Sequence, residues 1–348
     1  MILIAFGTRP EIIKLFPVVH ALQRRGIAHR TLFTGQQTDL YEDVKALVPP
    51  PDFSFAEAFA GAQKHNSLGG SYVKICEAAE ALYARERFDT VVVQGDTTTA
   101  WALAQMAFYN GVRIAHVEAG LRTFDLMNPY PEELNRTLIS QIADYNFAPT
   151  RQAAETLEKS GARNIRLVGN TIVDAVDHFK KTLRLRAETT SLVPVTLHRR
   201  ENHAVMDELF EEIEVIARRN GDLEFVLPIH PNPNVQRHRN RLRAPNIRII
   251  APVGYPDMLR MMSRAAFLIT DSGGIQEEAT CFNKKVIIAR EKTERPEVVE
   301  IGLGRLAGRN LEREVAWARI PPGNPVASPY GDGHAAERIA DILAGRTA

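Results

Sequence analysis

The run AAFLITDSGGIQEEAT, residues 265–280, is apolar up to Thr270 and turns polar at Asp271-Ser272-Gly273-Gly274. In that position Ser272, Gly273 and Gly274 start a helix whose first backbone N–H groups are free. Those groups and the helix dipole suit a phosphate or another anion. Two acids follow at once, Glu277 and Glu278. They read either as first-turn complements to the helix dipole or, for Glu278, as a carboxylate that accepts both hydroxyls of a ribose. Arg295, in TERPE (293–297), supplies a cation for the same phosphate.

The first half of the chain offers matching groups. An apolar start runs into Gly7-Thr8-Arg9-Pro10-Glu11, with Lys14 one turn on. Pro10 suits the first helical position, Gly7 lets backbone approach a ligand, and Arg9 and Lys14 bring positive charge to a helix N-terminus. VVVQGDTTTA puts Asp96 at a strand end, where it reads as an N-cap or as a chemical group, and Thr97, Thr98 and Thr99 are further caps. IAHVEAGLRT ends in Glu118, costly to bury unpaired, so it is either functional or salt-bridged to Arg122. NPYPEELNR opens a helix with Glu132 and Glu133 in its first turn. VTLHRRENH sets His198 just past an apolar strand and before Arg199 and Arg200, and HPNPNV sets His230 in the same topological place.

The elements that must position these groups are legible as a series. Short apolar runs alternate with helical patterns. Candidate strands are residues 2–6, 29–34, 90–95, 112–117, 145–149 and 164–169, then 192–197, 223–229, 246–252, 265–270 and 284–289. Several lack polar alternation, as strands buried on both faces of a parallel sheet do. The alternation predicts an α/β protein of two Rossmann-like, doubly wound domains facing a cleft, since open sheets bind ligands beyond the carboxyl ends of their strands. The first domain is expected over 1–167 and the second over 168–333. The polar segment 180–191 serves as a helix end and linker, and the amphipathic helix within 334–348 folds back on the first domain.

Bulk properties agree. A chain of 348 residues favours two domains, and 45% hydrophobic with 24% charged residues is ordinary for a globular protein. A formal net charge of +1 selects neither nucleic acid nor a membrane surface. No apolar run approaches the ~18 residues of a membrane span, and the start lacks the basic region of a signal peptide. Two cysteines in unlike contexts fit a reducing compartment, so a cytoplasmic location is expected. The ten histidines are dispersed and no HExxH or paired CxxC occurs, so neither a metal site nor a cofactor is expected. GLGRLAG (302–308) comes too late for a dinucleotide fingerprint and reads as a loop. Tyr41 and Lys45, spaced as in some sugar dehydrogenases, read as a surface helix. RHRNRLR (237–243) reads as a solvated helix face.

Taken together, FGTRPEIIK, QGDTTTA, HVEAGLRT, PEELNRT, HRREN, HPNPNV, DSGGIQEEA and TERPE resemble the non-hydrolysing UDP-N-acetylglucosamine 2-epimerases in order and nearly in spacing, from residue 2 to about 333. The resemblance implies a GT-B architecture, a homodimer, and interconversion of UDP-GlcNAc and UDP-ManNAc through loss of UDP to a 2-acetamidoglucal and its re-addition. By motif, it implies that Arg9, Lys14, Arg136, His198, Ser272, Gly273, Gly274, Glu278 and Arg295 hold the UDP-sugar. It implies that Asp96, Glu118 and Glu132 handle protons at the sugar, with His198 acting beside them. Gln36, Arg199 and His230 correspond to a second, activating substrate site of some members. Departures are Gln37 where many bacterial members have His, and Val253 and Met258 where the family often has Gln and Phe. A hydrolysing 2-epimerase, a relative acting on a modified UDP-sugar, a GT-B glycosyltransferase and a non-catalytic nucleotide-sugar binder are the alternatives.

Overall fold

A computed structural model of the protein describes residues 1–36, 44–59, 67–229, 233–323 and 325–345. The chain divides into two compact units, residues 1–175 with 330–348, and residues 176–329. Helix Thr171–Leu183 carries the chain out of the first unit, and the chain returns at Tyr330.

The first unit holds β1 (Ile2–Phe6), β2 (His29–Phe33), β3 (Phe53–Ser54), β4 (Thr90–Gln94), β5 (Arg113–Val117), β6 (Tyr145–Ala148) and β7 (Ile165–Leu167). They form one sheet in the order β3-β2-β1-β4-β5-β6-β7, parallel throughout. The second unit holds β8 (Leu192–Thr196), β9 (Glu224–Pro228), β10 (Ile247–Ile250), β11 (Leu268–Thr270), β12 (Val286–Ile288) and β13 (Gly304–Leu306). Its order is β10-β9-β8-β11-β12-β13, again parallel. Both orders reverse direction once, between β1 and β4 and between β8 and β11. That reversal opens a crevice at the carboxyl ends of the two central strands, where ligands of such sheets bind.

The central strands follow from composition. ILIAF and TVVVQ are buried along their whole length, because helices cover both faces. Core side chains such as Leu3, Val91, Val93, Leu103 and Ile114 fill the first unit, and Val195, Phe210, Phe225, Phe267 and Ile269 fill the second. Two strands differ from the sequence expectation. Phe53–Ser54 was not anticipated, and Gly304–Leu306, expected as a loop, is the edge strand β13 paired with β12. Each is two or three residues long and exists through a distant partner, so local periodicity carries no sign of it.

The last helix, Ala335–Leu343, lies on helix Arg9–Arg24 and buries Ala336, Ile339 and Ala340. Arg25 forks onto Asp341 at 2.8 and 3.0 Å and also meets Glu337. Asp174 caps the helix, accepting from Ala335 N at 3.2 Å and Ala336 N at 2.9 Å. Among the described residues, no helix is long and apolar enough to cross a membrane.

Candidate active site

In the first unit the crevice between β1 and β4 is bounded by two tight turns. After β1, Thr8 is extended and helix Arg9–Arg24 begins, which makes Pro10 its second residue. A β-carbon on Gly7 would stand 2.1 Å from Thr34 Oγ1 and 2.2 Å from Thr99 Oγ1, hydroxyls that bond each other at 2.7 Å. Gly7 therefore makes room for this hydroxyl pair, a different reason from the ligand approach expected of it. Gln36 accepts from Thr99 N at 2.9 Å and Thr99 Oγ1 at 2.8 Å, so its amide oxygen ties the turn after β2 to the start of helix Thr98–Tyr109.

After β4 the chain turns at Gly95 and Asp96. Thr97 caps helix Thr98–Tyr109 by accepting from Ala100 N at 3.0 Å, so Asp96 is not the cap. The Asp96 carboxylate instead receives the Arg136 guanidinium, with Arg136 Nε at 3.1 Å and Nη2 also donating. Asn135 Nδ2 donates to the Asp96 carbonyl at 2.8 Å. Both residues sit on helix Glu132–Ile142, whose first turns are organised around Asp96. Glu133, on the same helix, meets Arg136 at 3.4 Å and accepts from Thr123 N at 3.0 Å and Phe124 N at 3.1 Å. Glu133 thus fixes the preceding loop, and half-buried Glu132 begins the helix beside it. Below this, His116 on β5 donates its Nε2–H to the Gly95 carbonyl at 2.7 Å. Burial pushes His116 down to about 4, so it is neutral at neutral pH and acts as a strut for the turn.

Glu118 ends β5 with φ of 65°, the left-handed region that a glutamate rarely adopts. Such strain, of order 1–3 kcal/mol, clusters at functional sites. The turn aims its carboxylate at Lys14 Nζ, 2.5 Å away, and at Gln94 Nε2. All three side chains are buried. The partner expected from sequence was Arg122, which instead donates to the Leu121 carbonyl at 2.8 Å and Ser140 Oγ at 3.1 Å. Burial holds Arg122 down to about 10. Helix Arg9–Arg24 and β5 lie far apart in sequence, so the choice of Lys14 is made by the sheet order, which seats that helix beside the ends of β4 and β5.

The second unit repeats the plan. Thr196 and Thr270 hydroxyls bond at 2.6 Å across the neighbouring ends of β8 and β11. Asp271, fully buried, accepts from His198 N at 3.0 Å, Arg199 N at 2.9 Å and Asn202 Nδ2 at 3.0 Å. His198 Nδ1 lies 3.4 Å from the same carboxylate. Burial holds the His198 imidazole below its usual range, and the charge of Asp271 works against that shift. The motif DSGGIQEEA contains Asp271 without showing a role for it. Its signal was only an acid at the end of an apolar strand, and its three donors all come from a segment some 70 residues away.

Ser272 precedes helix Gly273–Thr280 without capping it through its side chain. The N–H groups of Gly273 and Gly274 take no acceptor among the described residues. A β-carbon on Gly273 would lie 2.5 Å from Arg295 Nη1 and 2.6 Å from Arg295 Cζ, so glycine is needed for the guanidinium to lie against this turn. Arg295 donates through Nε to Glu277 Oε1 at 2.7 Å and through Nη1 to Glu294. Glu294 also takes Arg290 Nη1 at 2.7 Å and stands 3.8 Å from Arg199, and Arg290 pairs with Glu201 at 2.5 Å. Glu277 lies in the second helical turn, not the first, so dipole compensation is not its function. It fixes the arginine against the Ser272–Gly274 turn. Glu278, the next residue, is buried as well. Removing one member of such a buried network strands the others, at a cost of about 3–5 kcal/mol. His230, Gln37 and Tyr41 fall outside the described residues.

Each unit therefore presents a charge-organised crevice. The first sets two carboxylates against two cations. The second sets a histidine, an arginine and a free helix N-terminus where an anion would be held. Among the described residues, no group of three or more His, Cys, Asp or Glu side chains could hold a metal ion.

Comparison with known proteins agrees across the chain. A family model described as UDP-N-acetylglucosamine 2-epimerase matches residues 20–344. A UDP-N-acetylglucosamine 2-epimerase of Campylobacter jejuni is 37% identical, over 98% of this chain and 97% of its own. The crystal structure of the Neisseria meningitidis UDP-GlcNAc 2-epimerase bound to UDP-GlcNAc superposes with TM-score 0.91 at 30% identity, covering 99% of this chain and 100% of that one. The Methanocaldococcus jannaschii UDP-GlcNAc 2-epimerase in complex with UDP-GlcNAc and UDP gives TM-score 0.85 at 34% identity, covering 99% of each. The fold is of the GT-B class, two Rossmann-like units with sheets of seven and six strands.

Proposed function

This chain belongs to the UDP-N-acetylglucosamine 2-epimerase family, and on that premise we propose that it interconverts UDP-GlcNAc and UDP-ManNAc by epimerisation at C2. The C2 hydrogen is not activated by a carbonyl. The reaction therefore proceeds by breaking the C1–O bond, with its electron pair going to the β-phosphate oxygen, as a base takes the C2 proton. A 2-acetamidoglucal and UDP result. Return of a proton to the other face of C2 and re-formation of the C1–O bond complete the inversion.

The observation that carries this reading is the pair Asp96 and Glu118, at adjacent strand ends of the first sheet, each held by a buried cation, Arg136 and Lys14. Asp96, Glu118 and Glu132 are assigned to removing and returning the proton, which needs positioned acid and base groups. Arg9, Lys14 and Arg136 hold the sugar diphosphate from the first unit. In the second, His198, Arg295 and the Ser272-Gly273-Gly274 turn meet the charge that develops on the departing diphosphate. Glu278 takes the ribose. Lys14 pairs with Glu118, so arrival of the diphosphate and the state of that carboxylate are coupled. Gln36, Arg199 and His230 are assigned to an activating site.

A proton NMR time course with UDP-GlcNAc in D2O tests the proposal. Deuterium should enter C2 with UDP still attached, and UDP-ManNAc should accumulate to equilibrium. Absence of exchange would overturn the epimerase reading, and release of free ManNAc with UDP would assign the hydrolysing reaction. We also propose a homodimer. Val73, Phe108 and Tyr109, 51%, 56% and 69% exposed, support it as apolar groups on two helices joined through Tyr72, Gln105 and Tyr109. Sedimentation should give twice the chain mass; a monomer at micromolar concentration rejects the dimer. A cytoplasmic location is proposed with it, supported by the two unpaired cysteines, Cys76 and Cys281.

A further inference from the structure

Glu11 is fully buried in the first unit, and the reaction as written above makes no use of it. Its Oε2 accepts from Gly7 N at 3.0 Å and Thr8 Oγ1 at 2.8 Å, and its Oε1 accepts from Thr97 Oγ1 at 2.6 Å. No Lys or Arg among the described residues pairs with it. The spacing Thr8-x-x-Glu11 reads as a capping box, in which the threonine hydroxyl would bond a helix N–H. Here it does not. Thr8 makes no side-chain cap and donates to Glu11 instead. Helix Arg9–Arg24 thus forgoes a cap bond to keep this carboxylate satisfied. A helix-dipole complement would need no contact outside its own helix, yet Glu11 reaches the cap of helix Thr98–Tyr109. The Thr97 hydroxyl accepts from Ala100 N at 3.0 Å, which fixes the oxygen and directs its proton to Glu11.

We propose that Glu11 is a positioning residue for the epimerisation: its carboxylate clamps the turn after β1, which leads into Arg9, to the turn after β4, which carries Asp96. The inference rests on the function proposed above. Arg9 and Asp96 come from opposite sides of the β1–β4 crevice. The main-chain pairing of β1 with β4 runs only over Ile2–Ile4 and Thr90–Val92 and stops short of either turn. Beyond it, the Glu11 carboxylate is a direct bridge between the two turns, and the hydrogen bonds among Thr34, Thr99 and the Gln36 amide oxygen brace helix Thr98–Tyr109 from the β2 side.

The bridge has a stability signature of its own. Burial pushes the Glu11 carboxyl up to about 7. A carboxyl whose folded value lies above its unfolded one favours folding while protonated, and that contribution is lost as pH rises through about 7. At pH 8 the buried charge therefore costs stability, and replacing it with a neutral isostere should not lower the thermal midpoint.

Glu11→Gln and Thr97→Val, singly and together, test the clamp, with kcat and KM for UDP-GlcNAc and the thermal midpoint measured at pH 8. Glutamine keeps an acceptor for Gly7 N and Thr8 Oγ1 but turns its N–H to Thr97 Oγ1, so the Thr97 hydroxyl loses the acceptor it has here. Each single variant should lose about 10- to 100-fold in kcat, as displaced reacting groups do, with KM changed by less than about threefold. The double variant should be no worse than the poorer single one, because both act on the same Thr97–Glu11 contact. Thr97→Ser, which keeps the hydroxyl, should restore kcat. A Glu11→Gln protein with wild-type kcat, or losses that multiply in the double variant, would overturn the clamp. So would a lowered midpoint with unchanged kcat, the mark of a merely structural group. A wild-type chain inert towards UDP-GlcNAc would strike the proposed function instead.

Discussion

Asp96→Asn is expected to lower kcat by about 10³-fold while the protein stays folded and UDP binding is little changed. Loss of a positioned acid or base costs about 10²–10⁴ in rate. The substitution keeps the volume and leaves in place the Asn135 bond to the residue-96 carbonyl and the Thr97 cap, so the turn retains its shape. What disappears is the charge facing Arg136, whose second partner, Glu133, remains. KM should change little, because the groups assigned to the nucleotide lie mainly in the second unit and keep their network. Steady-state kinetics, C2 deuterium exchange and the thermal midpoint together check this. Exchange at more than about a tenth of the wild-type rate would remove Asp96 from the proton chemistry.

The second large effect is expected at Asp271. Replacement by alanine leaves His198 N–H, Arg199 N–H and the Asn202 amide without their buried acceptor. Each stranded donor costs about 1–3 kcal/mol, so the second unit should lose roughly 3 kcal/mol or more, read as an early transition in denaturant unfolding. Asp271→Asn keeps one acceptor oxygen and is the variant for kinetics. With the carboxylate charge gone, the burial that lowers the His198 pKa loses its main opponent, although the charge of Glu201 still works against it. If a protonated His198 meets the diphosphate, the alkaline limb of the kcat/KM profile should move to lower pH. An unmoved limb, in a variant that folds, would separate Asp271 from His198 chemistry.

Much of this molecule could be read before it was folded. ILIAF, TVVVQ and AAFLIT announce buried parallel strands because an apolar run needs no partner to be recognised. Gly-Thr-Arg-Pro-Glu and Asp-Ser-Gly-Gly announce turns into helices because their backbone preferences are local. The polar residues at those turns could also be read as a group, since a parallel sheet sends all its strand ends to one edge. Less legible were the pairings. Glu118 was matched with Arg122, four residues on, whereas its bond goes to Lys14, 104 residues earlier. Glu277 looked like a dipole complement, and its partner Arg295 stands 18 residues later. His116 and Asp271 passed as ordinary members of strands and turns.

The sequence by itself determined the alternation of strands and helices, the two Rossmann-like units and the turns where chemistry gathers. These depend on periodicity and backbone preference, which act over a few residues. Only the tertiary structure decided which cation meets which carboxylate, that Gly7 and Gly273 yield space to side chains, and that Glu11 joins two turns. A buried charge takes whatever donor the strand order brings within about 3 Å. Strand order is fixed by packing between segments a hundred residues apart, and no local pattern encodes it.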